Sequence, residues 1–424
     1  MSRTYKKISE LIDEISMGPF GSDIKVEYFE KQGVPVLNGS NIAGVKLKDG
    51  FTNFVSHERA KGYKKAVAKR GDIVITHRGT LGQIAYVPDD SEYEEYVISQ
   101  SQFRVSLKVE LINPIYFAYY FHTKEGQKRL LSFKSHVGVP ALAQATTNFR
   151  LLDFPVRPKR EQDAIANVLG SIDKKIELNN RINAELEAMA KTLYDYWFVQ
   201  FDFPDDSPQG QGKPYKTSGG KMVYNPTLKR EIPEGWEVAP LSSITRVSNE
   251  SINPADYPEK LFKHFSIPVF DATNTFGVER GNTIGSNKFT VEDTDLLVSK
   301  LNPWFNRVVY AMAEPEQICS TEFVVWRCPN ASIKNFMYMI ATSPQFIAHC
   351  TQSATGTSNS HKRVNPNVMM RFDQPFNLKV AEKLGQHLEP ILKQLIVNQR
   401  ENTKLASLRD WLLPMLMNGQ LRVK

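Results

Sequence analysis

The sequence predicts an α+β protein in which two mixed α/β domains alternate with two long helices. The first observation is an internal repeat with a period near 220 residues. The second is an amphipathic pattern at the end of each half, in which apolar residues recur at steps of three and four, as in a coiled coil. The third is the stretch 203–220 between the halves, whose Pro, Gly and Ser residues are typical of an exposed connection.

The globular part of each half reads as short strands joined by polar loops. The segment GDIVITHRGTLGQIAYV (71–87) matches TDLLVSKLNPWFNRVVYA (294–311) in having an acid, an apolar run, a polar loop and a second apolar run. Further along, SHVGVPALAQATTNFRLLDFPV (135–156) has the same order of features as TGTSNSHKRVNPNVMMRFDQPF (355–376). Val, Ile and Tyr runs broken by Gly, Pro and Asn predict strands and turns in both halves.

The helical segments repeat at an offset of 219 residues. The matched apolar positions are Leu169, Ile172, Ile176, Leu186 and Leu193 in the first half and Leu388, Ile391, Leu395, Leu405 and Leu412 in the second. Gly170-Ser171 and Glu389-Pro390 occupy the same place in the two halves, and Gly or Pro disrupts a helix. Each half is therefore expected to end in a short helix followed by a longer one of about 25 residues.

Two amides interrupt the apolar seam in each half, Asn179 and Asn183 in the first and Asn398 and Asn402 in the second. A long helix must bury its apolar stripe, and an antiparallel coiled coil of the two copies would do so over roughly 40 Å. That length is close to one turn of B-DNA, roughly 34 Å. The pairing places Asn179 opposite Asn402 and Asn183 opposite Asn398, where mutually bonded amides would fix the register. A parallel pair, or helices packed on their own domains, are the alternatives.

Composition indicates an ordinary globular protein. The chain has 424 residues, of which 41% are hydrophobic and 23% charged. No apolar run approaches the roughly 20 residues that span a bilayer, and the N-terminal segment has no apolar core of signal-peptide type. Cys319, Cys328 and Cys350 fit no zinc spacing and cannot all pair, so a reducing cytoplasm is expected.

The net charge of +7 lies entirely in the first part of the chain. Residues 1–160 contain 24 Lys and Arg against 17 Asp and Glu, whereas residues 161–424 contain 29 of each. The densest stretch is RAKGYKKAVAKRG (59–71), which ends close to Arg78. A basic first domain suits contact with phosphates. A solvated charged surface is the alternative for this stretch.

The search for catalytic motifs favours binding over catalysis. LLVSKLNPWF (296–305) resembles the target-amino loop of adenine methyltransferases, but Trp304 replaces the usual third residue and no Gly-rich cofactor turn precedes it. There is no phosphate loop of the GxxxxGK[ST] type and no HExxH metal motif. We therefore predict no catalytic or metal-binding residues. A self-sufficient adenine methyltransferase with fused recognition domains, and a scaffold for protein partners, are the alternatives.

Several long segments resemble the specificity subunit of type I restriction-modification enzymes. GPFGSDIKVEYFEKQGVPVLNGSNI (18–42) and GDIVITHRGTLGQIAYVP (71–88) are similar to the start of a target recognition domain. The segment 160–204, which contains NNRIN, is similar to the central helical region of that family, and KREIPEGWEVAPLSSI (229–244) to the opening of the second recognition domain. The second domain departs from the first in lacking GPFGS and in having NPWF where the first has an RGT loop.

This resemblance implies a definite organisation. The expected segments are a first target recognition domain at 1–157, a helical region at 158–199, a linker at 200–232, a second recognition domain at 233–376 and a second helical region at 377–424. Each domain would read one half of a bipartite DNA sequence, and the antiparallel coiled coil would fix the gap between the halves. Two methyltransferase subunits would bind S-adenosylmethionine, and two translocating endonuclease subunits would use ATP and Mg. This chain itself would hold no cofactor.

Loop position and side-chain type select the candidate DNA contacts. Lys, Arg, Ser and Thr bind phosphates, whereas Arg, Lys, Asn and Gln read base edges. In the first domain the candidates are Ser22, Lys25, His77, Arg78, Thr80, Ser135 and His136. In the second they are Lys300, Asn302, Asn306, Arg307, Ser358, Asn359, Lys362 and Arg363. For each candidate the alternative is a structural role, as a turn cap or as a solvated surface residue.

Overall fold

The structure, a computed structural model, divides the chain into two compact units. The first unit comprises Met1–Lys174 with Leu405–Lys424, and the second comprises Lys175–Lys404. The residues that the structure describes are 4–19, 23–135, 139–356 and 361–423. Within these ranges, no helix combines the length and the apolar character that crossing a membrane requires.

A four-stranded antiparallel sheet forms the centre of the first unit. Its strands, in spatial order, are Ile12–Met17, Gln102–Leu107, Ile73–Thr76 and Ile84–Tyr86. The third of these is buried along its length because its alternate residues enter different apolar clusters. Ile73 and Ile75 pack in a cluster with Phe117, whereas Val74 packs in a cluster with Tyr96.

Shorter elements complete the first unit. Its two-stranded pairs are Thr4–Lys7 with Asp153–Val156, Val34–Pro35 with Phe54–Val55, Val67–Lys69 with Glu95–Val97, and Lys134–Ser135 with Ala141–Leu142. Its short helices are Ile8–Leu11, His57–Gly62, Pro114–Phe121, Lys124–Leu130 and Ala145–Leu151. The third begins at Asn113, whose side chain accepts the N–H groups of Ile115 and Tyr116, and Pro114 suits the first helical position.

The second unit has an equivalent sheet and an additional one. The equivalent sheet contains Arg246–Ser248, Phe323–Arg327, Asp295–Ser299 and Val308–Tyr310 in spatial order. The additional five-stranded sheet contains Ser251–Ile252, Lys288–Thr290, Gln317–Cys319, Leu261–Phe265 and Gly277–Arg280. The strand pairs are Glu237–Pro240 with Asp373–Phe376 and Met222–Asn225 with Arg230–Pro233. The short helices are Leu241–Ile244, Ile267–Thr273, Ala331–Ala341, Pro344–Gln352 and Pro366–Met369.

The predicted internal repeat is confirmed by the topology of the two sheets, which is the same in both units. Each sheet also carries a buried arginine on the strand next to its central strand, Arg104 opposite Val74 in the first unit and Arg327 opposite Asp295 in the second. Arg327 binds Asp295 through Nε and Nη2 at 2.9 and 3.0 Å. Arg104 binds Asp72 at 3.3 Å and Glu14 at 2.6 Å. Because buried charges need partners, each arginine requires the carboxylate that begins the neighbouring central strand.

The two long helices are Lys159–Tyr194 and Leu378–Asn418, of 36 and 41 residues. The predicted breaks at Gly170-Ser171 and Glu389-Pro390 are therefore wrong, because each helix continues through its break. An interior proline costs about 3 kcal/mol, whereas each fully buried leucine contributes roughly 1.5–3 kcal/mol. The buried leucines around Pro390 are Leu384, Leu388, Leu392 and Leu395. Their packing outweighs the cost of the proline.

The predicted antiparallel packing of the long helices is confirmed. In the second unit, the Asn179 amide donates to Oδ1 of Asn402, and the Asn398 amide donates to Oδ1 of Asn183, each at 2.9 Å. Position numbers that rise along one helix thus fall along the other. In the first unit the same helices are joined by Arg409 Nη1, which donates to Asp173 Oδ1 at 2.7 Å.

The segment expected to be a linker, 200–232, is mostly exposed but is anchored to the second unit. Phe203 is buried and stacks on Tyr215, with ring centroids 4.8 Å apart. The Thr217 hydroxyl donates to the Asp202 carboxylate at 2.6 Å. Phe203 belongs to the core of that unit and Tyr215 packs against it, so this part of the segment is fixed to the unit.

Candidate nucleic-acid interface

Each unit places a polar loop at the end of its central strand. In the first unit this loop (77–83) follows Ile73–Thr76. Gly79 and Gly82 have φ of 88° and 89°, a conformation that glycine adopts without steric cost. These two glycines let the chain turn back sharply, and Arg78 is exposed at the turn.

The equivalent loop of the second unit (300–307) makes the same turn with different residues. Asn302 and Asn306 have φ of 47° and 48°, and asparagine tolerates this left-handed conformation better than most side chains. Between them Trp304 and Phe305 are both exposed. The two loops therefore share a position in the fold while presenting different side chains.

A second polar loop meets the first in both units. In the first unit Arg78 forms an antiparallel bridge with Ala141, whose strand pairs with the one that contains Ser135. In the second unit Leu301 forms an antiparallel bridge with Arg363. The structure thus brings the described parts of the two predicted loops together through an antiparallel backbone bridge in both units.

The side chain of Arg78 is available for a ligand. Arg78 and Thr80 are exposed, and Arg78 makes no ion pair with any residue that the structure describes. His77 differs, because it is half-buried and its Nε2 lies 3.1 Å from the carbonyl oxygen of Gln100. Burial lowers the pKa of His77 below its ordinary value. His77 is therefore mainly neutral at neutral pH and contributes to the shape of the loop more than to its charge.

Two arginines of the second unit are held by carboxylates. Arg363 binds Glu322 with both guanidinium branches at 2.9 and 3.0 Å, and its side chain is 45% exposed. Arg307 binds Asp271 at 2.5 and 2.8 Å, and its side chain is only 11% exposed. Arg363 is therefore oriented and accessible, whereas Arg307 serves to hold the loop 300–307 against Asp271.

Asn302 joins the two loops of the second unit. It is buried, its N–H donates to the carbonyl of Lys362 at 2.7 Å, and its side-chain oxygen accepts the N–H of Lys362 at 3.0 Å. The geometry gives this residue a structural role. The ammonium groups of Lys300 and Lys362 make no ion pair with a described residue, and Lys362 is positioned by its bonds to Asn302.

The structure describes two further candidates, Lys25 and Asn306. Lys25 is paired with Glu27 at 3.5 Å, and its ammonium group lies 5.8 Å from the ring centroid of Tyr28. Asn306 is exposed at its left-handed position. The candidates that fall outside the described residues are Ser22, His136, Ser358 and Asn359.

The carboxylates that orient the arginines could not be identified from the sequence. Asp271 and Glu322 lie 36 and 41 residues away from their arginine partners along the chain. No motif links such distant positions.

The seam amides form a polar cluster within the second unit. Asn179 and Asn183 are buried, as is Asn398, and Asn402 is half-buried. The Asn179 amide also donates to Glu401 at 2.7 Å. The cluster therefore joins amides of one helix to amides and a carboxylate of the other, although the buried side-chain oxygen of Asn179 has no partner among the described residues.

Comparisons with known proteins agree with this architecture. Residues 19–188 match the family model described as the type I restriction modification DNA specificity domain. The MjaIX specificity subunit of Methanocaldococcus jannaschii is 24% identical over 99% of this chain and 93% of its own length. The HindI specificity subunit of Haemophilus influenzae is 20% identical over 85% of this chain and 88% of its own.

A solved structure shows the same fold. The S subunit of the type I restriction-modification system of M. genitalium superposes with a TM-score of 0.63, at 15% identity, over 98% of this chain and 96% of that one. Together with the sequence matches, it confirms the resemblance to type I specificity subunits along nearly the whole chain.

Proposed function

We propose that this chain, a relative of the specificity subunits of type I restriction-modification enzymes, is the DNA-recognition subunit of such a complex and reads a bipartite sequence. The observation that carries the proposal is the duplicated loop pair. Each unit joins two polar loops at one end of its central sheet and exposes an arginine there, Arg78 in the first and Arg363 in the second. Two such surfaces with different side chains suit two different half-sites.

The self-sufficient methyltransferase is the weaker candidate. Its motif would use Asn302 toward a target amino group, but the side-chain oxygen of Asn302 accepts a hydrogen bond from Lys362 and the residue is buried. We assign methylation to partner subunits that bind S-adenosylmethionine. We likewise assign ATP and Mg to translocating endonuclease subunits, and none of these cofactors to this chain.

The exposed side chains of the long helices favour a complex with two copies of the methyltransferase partner. Large apolar side chains are exposed on both helices at the repeat offset, Leu178 with Val397 and Met189 with Leu408. These four residues are between 40% and 54% exposed. Contiguous exposed apolar patches mark interaction surfaces, and apolar positions repeated in the two halves of one chain would suit two copies of one partner. We extend the same stoichiometry to the endonuclease subunit.

The seam amides give the helices a fixed register. A slip by one heptad would place Asn183 and Asn398 against apolar residues and leave both amides unsatisfied, which costs more than an unmade hydrogen bond in water. In a subunit that reads two separated half-sites, a fixed register keeps the gap between them constant. We therefore assign Asn179, Asn183, Asn398 and Asn402 a role in spacing specificity.

The test of DNA recognition uses the full chain in complex with its methyltransferase partner. We expect Arg78→Ala and Arg363→Ala each to weaken binding to a duplex that carries the bipartite site, by about 1–3 kcal/mol if the arginine reads a base. Each variant should lose discrimination at one half-site only. Binding is measured by fluorescence anisotropy with duplexes in which one half-site or the other is scrambled.

A matched control removes a charge elsewhere. Lys213→Ala neutralises an exposed lysine of the connecting segment and should leave both half-sites equally well read. If the two arginine variants bound every duplex as tightly as the parent complex does, the loop pairs would not be the recognition surfaces.

A further inference from the structure

A concave surface of about 950 Å³ lies in the first unit beside the basic stretch 59–71. It is lined by residues 16–19 and 62–66 together with Asp23, Tyr28, Ser56, Glu58 and Arg59, and is called the Lys64 concavity below. None of its cations is among the candidates selected from the loops. The basic stretch drew attention in the sequence, but composition alone did not show which of its residues face a common space.

The three cations of the Lys64 concavity differ in whether they have a partner. The Arg59 guanidinium lies over the Tyr28 ring, 3.5 Å from its centroid. Lys65 lies 3.5 Å from a carboxylate oxygen of Glu14. Lys64 is exposed and makes no ion pair with any residue in the described ranges. Asp23 and Glu58 also line the space, so the concavity is not a broad basic groove. Lys64, its cation without an ion pair in the described ranges, suits contact with a single phosphate.

The backbone conformation at position 64 makes it informative that the residue there is a lysine. Its φ is +46°, in the left-handed region, which costs a residue with a side chain roughly 1–2 kcal/mol relative to glycine. The nearby Gly62 does not have a positive φ. A lysine therefore occupies a position at which glycine would have a lower conformational energy. Strained residues of this kind concentrate at functional sites.

The Lys64 concavity adjoins the candidate DNA surface. The N–H of Gly18, in its wall, donates to the carbonyl of Gln102 at 2.8 Å. The N–H of His77, which begins the loop 77–83, donates to the carbonyl of Ser101 at 2.9 Å. The turn at 99–102 thus separates the concavity from the loop that exposes Arg78.

We infer that the Lys64 concavity binds one phosphate of the DNA backbone next to the first half-site, with Lys64 as the contacting residue. The inference rests on the proposed function and deepens it by adding a positioning contact to the base-reading loop. A phosphate contact carries no sequence information. Its loss should therefore weaken binding to every sequence alike and lower the dependence on salt.

The experiment compares Lys64→Gly with Lys229→Gly in the full chain bound to its methyltransferase partner. Lys229 is an exposed lysine in the hairpin turn between Met222–Asn225 and Arg230–Pro233, and its φ is +52°. Both substitutions therefore remove one charge and relieve the same backbone strain. Neither should lower the unfolding temperature, so a change in binding cannot be a folding defect. Lys64→Arg keeps the charge and serves as the conservative variant.

Binding to duplexes with and without the bipartite site is measured over a range of salt concentrations. For Lys64→Gly we expect affinity lower by roughly threefold to tenfold at low salt on both duplexes, and a salt slope lower by about 0.9. Lys64→Arg and Lys229→Gly should match the parent. An unchanged slope for Lys64→Gly, or an equal loss for Lys229→Gly, overturns the inference while the parent still binds DNA. Absence of binding by the parent complex would instead overturn the proposed function.

Discussion

At the scale of single residues, the arginines and asparagines of the polar loops differ in the partners that hold them. Arg78 and Arg363 are exposed, whereas the side chain of Arg307 binds Asp271 and is only 11% exposed. Asn302 closes a loop through its amide. These roles depend on residues distant in the chain, which no local pattern identifies.

Lys334 gives a residue-scale prediction of pH dependence. It is buried, its ammonium group donates to the carbonyls of Asp293 and Ala311, and it lies 3.6 Å from the ring centroid of Tyr310. Burial lowers the pKa of Lys334 from 10.5 to about 7. Between these pH values the unfolded chain holds one proton more than the folded chain. The free energy of unfolding should therefore rise with pH, by at most about 1.4 kcal/mol per pH unit.

The measurement compares urea unfolding of the parent and of Lys334→Met from pH about 7 to about 10, a range set by the two pKa values. The variant should lack the rise that the parent shows. Other titrating groups are common to both proteins and cancel in the difference. Parallel curves for the two proteins would show that Lys334 does not titrate in this range.

At the scale of elements, periodicity predicted the two long helices, but a local rule misplaced their breaks. Gly170 and Pro390 weaken a helix when considered alone. In the structure, Leu169 and Ile172 are buried next to Gly170 in the first long helix. Leu388 and Leu392 are buried next to Pro390 in the second. Tertiary packing decides the continuity of a helix of this length, and a sequence gives propensity more readily than packing.

Helix continuity through Gly170 leads to a stability prediction. A Cβ atom at Gly170 would meet no heavy atom within 4 Å, so Gly170→Ala should stabilise the first unit by up to about 1 kcal/mol. Gly385 is the matched control on the other helix, because its Cβ would lie 2.0 Å from the carbonyl oxygen of Ser332. Gly385→Ala should destabilise the second unit. Denaturant unfolding measures both, and a loss of stability in Gly170→Ala would contradict the continuous helix.

The seam amides lead to a second element-scale prediction. Asn183→Leu alone should destabilise the protein by about 1–3 kcal/mol, because it leaves the buried amide of Asn398 without its partner. Asn183→Leu with Asn398→Leu should restore or raise stability, since two leucines pack in an apolar seam. The double variant should nevertheless methylate sites with more than one gap length. Sequencing of methylated DNA measures the gap, and a single sharp gap in the double variant would refute the register role.

At the scale of the whole molecule, the repeat was the most reliable information in the sequence. It predicted two equivalent domains and two matched helices, because duplicated chains retain the positions that bury their cores. The five-stranded sheet of the second unit was not predicted. Its strands lie in the part of the second half that has no counterpart in the matched segments, where single short strands are hard to distinguish from loops.

The repeated exposed residues of the helices predict the stoichiometry of the complex. Met189→Asp and Leu408→Asp should each remove one methyltransferase subunit, because each places a charge in one of two equivalent apolar docking surfaces. The double variant should bind none. Native mass spectrometry of the purified complexes measures the ratio. Two bound subunits in both single variants would exclude these surfaces as docking sites.

The central claim is that one chain carries two recognition surfaces for the two halves of a split DNA site. The most direct test maps methylated adenines in the genome of a host that carries the complete system, in the same host without this gene, and in the host complemented with Arg363→Ala. We expect a bipartite motif with one fixed gap, which is lost on deletion and relaxed at a single half-site in the Arg363→Ala strain. Methylation that is unchanged by deletion, or a continuous motif without a gap, would contradict it.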